Sequence, residues 1–194
     1  IQRIARDRDA LEKAQHGLRK LSRAVEYSPA SVVITDTAGC IEYVNPKFTE
    51  VTGYAGEEAV GRNSGFMKSG EKQQETYEDM WRTIRSGREW RGELLNRKKS
   101  GELFCEDTRI SPLTDERGRA THFISIKEDV TERQRAAEEL RVSKELFQTT
   151  FDSAAVGIVL YDLTGRFLLA NRALCETLGY DQEELLHKTL QEIT

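Results

Sequence analysis

The chain has 194 residues, 38% hydrophobic and 32% charged, which is enough for one complete small domain and part of a second. Its net charge of −4 argues against a basic nucleic-acid surface, and no apolar run is long enough to span a bilayer. Cys40, Cys105 and Cys175 are scattered, odd in number and without a C-x-x-C pair, which argues against a disulfide framework or zinc site and makes a cytoplasmic setting the simplest. A chain that starts at Ile1 reads as a segment of a longer protein, whose other parts, including any membrane anchor, lie outside it.

Residues 1–27 are predicted to form one helix. Ile4, Leu11, Leu18 and Val25 recur every seven residues, with Ala14 and Leu21 at the matching d positions and Asp7 interrupting them. Such a narrow seam suits a second helix, so we expect a homodimer contact here; the plainer alternative is an amphipathic helix lying on its own sheet. Pro29 separates this helix from a β-branched strand over 32–35. Asp36 and Gly39 make a tight turn into a second strand over 41–44. Asn45 and Pro46 then open a short helix with Phe48 and Val51 on its apolar face, and Gly53 ends it. Gly56 and Gly61-Arg62-Asn63 brush against a phosphate-binding loop, but the Lys and Ser/Thr that such a loop requires are absent.

Residues 73–85 are predicted to form a longer helix, because Tyr77, Met80, Trp81 and Ile84 fall on one face; Gly87 stops it. Three strands follow over 90–97, 103–113 and 121–130, joined by polar turns at 98–101 and 115–118. Alternation puts Trp90, Gly92, Leu94 and Asn96 on one side of the first of these. Together the strands make a five-stranded antiparallel sheet, with the helical segments 46–86 on one face. The fold class is therefore α+β, with a hollow between sheet and helices. Thr131 is expected to cap a linker helix over 132–150, whose apolar positions Ala137, Leu140, Phe147 and Phe151 form a broken seam interrupted by Lys144.

The 36–58 stretch then returns. Asp162 and Gly165 answer Asp36 and Gly39; Asn171 answers Asn45, Glu176 answers Glu50, Gly179-Tyr180 answer Gly53-Tyr54, and Glu183-Glu184 answer Glu57-Glu58. Every pair lies 126 positions apart, a domain-sized repeat rather than a solenoid. The expected organisation is a helix over 1–27, a complete domain over 28–131, a linker helix over 132–150, and over 151–194 the first part of a second copy. That copy has strands over 156–161 and 166–170 and stops before its last three strands.

An apolar strand, D-x-x-G, a second strand ending in Asn, a short helix, Gly-Tyr and then Glu-Glu-x-x-Gly resembles the opening of a PAS sensor domain. The resemblance continues through Trp90-Arg-Gly-Glu-Leu-Leu-Asn-Arg97, Ile110-Ser-Pro-Leu113 and the closing Asp129-Val-Thr-Glu-Arg133. It implies a PAS fold and a signalling role. Asp129 and Thr131 would couple the sheet to the linker helix, and the output domain would lie outside this chain, with a histidine kinase or a cyclic-dinucleotide enzyme as common parents.

Catalysis by this segment is not expected. His16, His122 and His187 sit in separate elements, no Ser-His-Asp or Cys-His grouping is suggested, and the Glu-Glu pairs suit helix starts. Haem-binding members of the family place an axial His on the long helix, and residues 73–85 have none, which argues against haem. Light-oxygen-voltage members carry a reactive Cys where this chain has Ser64, which removes thiol-adduct photochemistry but not non-covalent flavin binding. The pattern Trp90, Gly92, Asn96, Arg97 is most similar to redox-sensing PAS domains of nitrogen-fixation and methane-oxidation regulators, which hold FAD. That resemblance implies FAD between Trp90 and Asn96 on one side and Asn63, Ser64 and Met67 on the other. Ser125 and Lys127 would reach it from the last strand, the lysine favouring reduced, anionic flavin. Two positions depart from that type: Val33 replaces a polar residue and Ser64 a carboxylate. The competing expectation is a ligand-free dimerisation and spacer module in which Trp90 merely fills the core.

Overall fold

The computed structural model describes residues 2–70 and 74–193, and of residues 2–11 the backbone alone. Gln73, expected to start the long helix, lies outside the described residues, as do the side chains of Ile4, Asp7 and Leu11 in the expected seam. Two compact units divide between Glu132 and Arg133.

In the first unit, α1 (Gln2–Glu26) precedes β1 (Ser31–Asp36) and β2 (Ile41–Val44). Next come α2 (Pro46–Thr52), α3 (Gly56–Ala59), a 3-10 turn (Ser64–Met67) and α4 (Gln74–Arg85). The remaining strands are β3 (Trp90–Arg97), β4 (Leu103–Thr114) and β5 (Ala120–Asp129), and α5 (Thr131–Ser153) follows. The sheet is antiparallel with order β2-β1-β5-β4-β3. β5 lies between β1 and β4, opposing Val33 and Ile110 with Ser125, and Ser31 and Thr108 with Lys127. Directly opposed residues share a face, so these side chains form one inner wall.

Two apolar clusters attach the helices to that wall. Met80 and Ile84 of α4 pack with Trp90, Leu94, Ile110 and Phe123. Phe48 and Ala59 of the short helices pack with Val33, Ile41 and Met67. By contrast residues 12–26 of α1 are exposed apart from half-buried Gly17 and Val25; Leu18 and Leu21 of the seam are 67% and 66% accessible. Over residues 12–26 the helix is therefore not laid on its own sheet.

The turns follow one rule. Asp36 Oδ1 accepts from the backbone N–H groups of Ala38 and Cys40, both at 2.8 Å, and Gly39 takes φ 85°. A Cβ at Gly39 would also stand 3.0 Å from the Trp81 ring, so the position is closed to larger residues twice over. Asp115 and Asp162 repeat the same bonds at their own turns.

Asn45 does more than cap α2. Its Oδ1 accepts from Phe48 N (3.2 Å) and Val32 N (2.9 Å), while its Nδ2 donates to Ala30 O (3.0 Å) and to Val25 O in the last turn of α1 (3.1 Å). One buried amide thus uses its full hydrogen-bonding capacity to join a helix end, a strand and a second helix.

The second unit repeats this arrangement. It contains β6 (Val159–Tyr161), β7 (Phe167–Ala170), α6 (Arg172–Leu178), α7 (Gln182–Leu186) and a 3-10 turn (Leu190–Glu192). Asn171 accepts from Ile158 N (2.7 Å) and Leu174 N (3.1 Å) and donates to Val156 O (2.9 Å) and Phe151 O (3.0 Å). The first strand of this copy begins at Val159 rather than at the expected Val156. In the first copy β1 has partners on both edges, whereas β6 pairs only with β7 among the described residues. The linker helix is longer than expected at both ends.

Asn45→Ala should destabilise the first unit by roughly 3 kcal/mol or more, combining a lost cap with buried N–H groups left without partners. Trp81 and Trp90, the two tryptophans of the chain, both lie in this unit, so urea unfolding followed by tryptophan fluorescence isolates it. Asn171→Ala should leave that transition in place; equal effects from the two substitutions would contradict separate joints.

Candidate functional site

Alternation along β4 turns Phe104, Glu106, Thr108 and Ile110 to the inner wall, and all four are buried. Glu106 is wholly inaccessible. Its Oε2 accepts from Asn96 Nδ2 on β3 (2.7 Å) and from Lys127 Nζ on β5 (2.9 Å). Its Oε1 is buried without a hydrogen-bond partner, as is Ser31 Oγ across from Lys127. A carboxylate removed from water is retained only with such donors around it.

Above this cluster lies a cavity of about 60 Å³. Its polar lining is Thr35, Asn63, Ser64, Lys68, Tyr77, Asn96, Ser125 and Lys127; its apolar lining is Met80, Trp81, Ile84, Leu94, Ile110 and Phe123, and Gly65 completes it. The Tyr77 hydroxyl stands 3.5 Å from Asn96 Oδ1. Burial, and then the charge of Glu106, push the Tyr77 phenol up to about 12. Lys68 Nζ lies 3.8 Å over the Tyr77 ring.

Five of the seven expected binding residues, Asn63, Ser64, Asn96, Ser125 and Lys127, line this cavity; Trp90 and Met67 do not. The Trp90 ring turns back over Gly92, where a Cβ would come within 2.6 Å of it, and its indole N–H donates to Asp79 Oδ2 at 3.1 Å. It is a core residue between α4 and the sheet. Met67 packs with Val33 and Phe48. Asn63 lies at the rim, where it caps the 3-10 turn through Gly65 N and donates to Ala38 O. The lysine expected to favour an anionic ligand already faces a carboxylate, so Lys127 is not a free cation. Val33 belongs to the core, but Thr35, two residues on, brings a hydroxyl to the cavity.

The strand-to-helix junction is held from β4. Thr131 Oγ1 accepts from Cys105 N (2.8 Å), and Val130 N donates to Cys105 O (2.9 Å). Asp129 Oδ1 accepts from Thr131 N at 3.0 Å and from its hydroxyl, and Lys98 Nζ lies 3.3 Å from Asp129 Oδ2. Burial raises the Asp129 pKa, but the Thr131 bonds and Lys98 outweigh it and hold the carboxyl below its usual range. The Thr131 hydroxyl thus reaches sideways to the sheet.

Sequence patterns gave Glu106 no role, and read Tyr77 only as part of the apolar face of the long helix. The available signal for Glu106 was a carboxylate in phase with Phe104 and Ile110 on a half-buried strand. Among the described residues no group of His, Cys, Asp and Glu is placed to hold a metal ion, and no helix is long and apolar enough to cross a membrane.

A family model of the PAS domain matches residues 29–132, and a second matches residues 145–194. The chain belongs to the PAS-domain family. It is a PAS sensory signalling module. Over 149 residues it is 27% identical to the nitrogen fixation regulatory protein of Klebsiella oxytoca, covering 77% of this chain and 30% of that one. It is 32% identical to blue-light-activated histidine kinase 1 of Erythrobacter litoralis, covering 65% of this chain and 36% of that one. A solved light-oxygen-voltage domain, studied with a flavin analogue, superposes with a TM-score of 0.54 at 26% identity, covering 65% of this chain and 96% of that one. The chain therefore spans only about a third of the length of these curated relatives.

Lys127→Met leaves Glu106 with a single donor and should destabilise the domain by about 3–5 kcal/mol, whereas Lys127→Met with Glu106→Leu should recover most of that loss. Urea denaturation of both variants checks this; additive effects would mean that the two groups are not coupled. The raised Tyr77 phenol makes a second prediction. Its contribution is complete below pH 10, the ordinary phenol value, and is lost as pH rises toward about 12. In alkaline denaturation wild type should therefore lose stability relative to Tyr77→Phe as pH rises from 10 toward about 12; a constant difference would show that Tyr77 titrates normally.

Proposed function

We propose that the first PAS copy is a sensor that binds a flavin, FAD, and passes the flavin's state to α5 and on to an output domain outside this chain. One observation carries this reading. The buried Asn96–Glu106–Lys127 cluster meets the cavity on one side and, at the next residue of β4, the helix junction on the other.

The lining suits a planar heteroaromatic with a polar edge. Leu94, Met80, Ile84 and Trp81 offer apolar surface, and Asn96, Ser125, Lys127, Ser64 and Tyr77 offer donors and acceptors. The cavity of about 60 Å³ is far below the ~300–1,000 Å³ of pockets that enclose such ligands. Binding therefore includes outward movement of the rim segment that carries Asn63, Ser64 and Lys68. A bound flavin would supply a change of redox state; the chain's own residues orient its edge and register the change. The similarity to a nitrogen fixation regulator, to a blue-light-activated kinase and to a light-oxygen-voltage domain supports a flavin over other ligands. Asn96 would feel the change first, β5 would shift, and Asp129 and Thr131 would retune α5 across a homodimer formed by α1 and α5.

The exposed seams and the small cavity favour a second reading, a ligand-free dimerisation and spacer module. Leu18, Leu21, Leu140 and Phe147 are all open to solvent.

Absorption spectra and chromatography of the heat-released chromophore separate these readings. FAD in the purified or reconstituted protein supports the first, and Asn96→Ala should then weaken FAD binding by about tenfold, the equivalent of one hydrogen bond. A colourless dimer that also fails to take up added FAD would establish the second.

A further inference from the structure

Glu106 follows directly on Cys105, the residue whose backbone is bonded to the helix junction. The peptide unit that links Cys105 to Glu106 is planar, so the Cys105 carbonyl and the Glu106 N–H move as one body. That carbonyl accepts from Val130 N, and the Cys105 N–H donates to Thr131 Oγ1. Glu106 itself stands opposite Asp129 in the β4–β5 register. On the inner side its carboxylate depends on Asn96 and Lys127, both of which line the cavity, while Oε1 has no partner. A carboxylate this buried tolerates little loss of donors. Any ligand that draws Asn96 or Lys127 toward itself removes one of two anchors and forces the side chain to reseat.

We propose that Glu106 is a positioning residue that couples the cavity to α5: loss of a donor to its carboxylate tilts the Cys105–Glu106 peptide, loosens the Val130 bond that this peptide carries and, through the shared Cys105 Cα, strains the neighbouring Cys105 N–H bond to Thr131. The route runs through β4, not only through the last strand. It rests on the sensory reading above, but it is a property of the ligand-free chain and can be tested without a cofactor. The Tyr77 hydroxyl, 3.5 Å from Asn96 Oδ1, extends the same chain of contacts to α4.

The test is amide hydrogen exchange on the ligand-free 194-residue chain, comparing wild type with Glu106→Gln, which keeps the shape and removes the charge. Exchange at Cys105 and Val130 should quicken by about tenfold, as for one weakened hydrogen bond, with the β1–β2 amides unchanged. No change at Cys105 and Val130, or an equal rise throughout the sheet, would overturn the proposal. Thr131→Val probes the reverse direction and does not disturb the core. Coupling is reciprocal, so this variant should shift the nuclear magnetic resonance signals of the Asn96 side-chain amide. A purely local cap would leave them in place, and that result would also overturn it. Added FAD forms a separate arm: if FAD does not bind, the cofactor reading fails, while the coupling stands or falls on the two variants.

Discussion

A carboxylate with no access to water sits in the middle of the sheet's inner wall, and much of the domain's chemistry follows from satisfying it. Glu106 fixes Lys127 as its counter-ion and fixes the Asn96 amide with its N–H side turned inward. That leaves Asn96 Oδ1 facing Tyr77, so even the orientation of a cavity-lining amide is imposed from below. The wall is close to neutral, because its cation and anion lie 2.9 Å apart. A ligand edge resting on it meets a dipole rather than a bare charge, so the expectation that Lys127 favours an anionic ligand does not carry over to this arrangement.

The second constraint is a repeated joint. Asn45 and Asn171 make the same four bonds, 126 positions apart, and in each copy one of them goes to a carbonyl at the end of the preceding helix. For the first copy that helix is α1; for the second it is α5. The helix that leaves the first sheet through Asp129 and Thr131 thus ends in the bonds that open the second copy. Each end is anchored by hydrogen bonds of defined geometry, while the exposed length between them is laced with Arg141 to Glu138 and Glu145.

The architecture was largely legible in the sequence because it rests on local rules. β-branched runs, Asp-x-x-Gly turns and the 126-residue repeat specify strands, turns and copy number without knowledge of long-range partners. The site was legible only in part. Alternation says which face Trp90 occupies, but Gly92 and Asp79 decide that its ring turns into the core and away from the cavity. The same rule gives Asn45 a cap and cannot show that its other N–H groups reach Val25 and Ala30. Glu106 was hidden for a related reason: alternation puts it in phase with Phe104 and Ile110, but only the register of β3, β4 and β5 brings Asn96 and Lys127 to it. Partners across a sheet are a property of register, and register depends on the whole fold.

The cluster is also hard to explain as a device for stability alone. Buried ion pairs are often no better than well-packed apolar side chains of similar size, and this one leaves a carboxylate oxygen without a partner. The neighbouring apolar groups show that the wall can be built otherwise: Leu94, Ile110 and Phe123 fill it on the side of α4 without any polar atom. The charged residues are concentrated where the cavity and the helix junction come nearest along β4, one residue from Cys105. What the arrangement does provide is a carboxylate whose two donors, Asn96 and Lys127, line the cavity, next in the chain to Cys105, which is bonded to the helix junction.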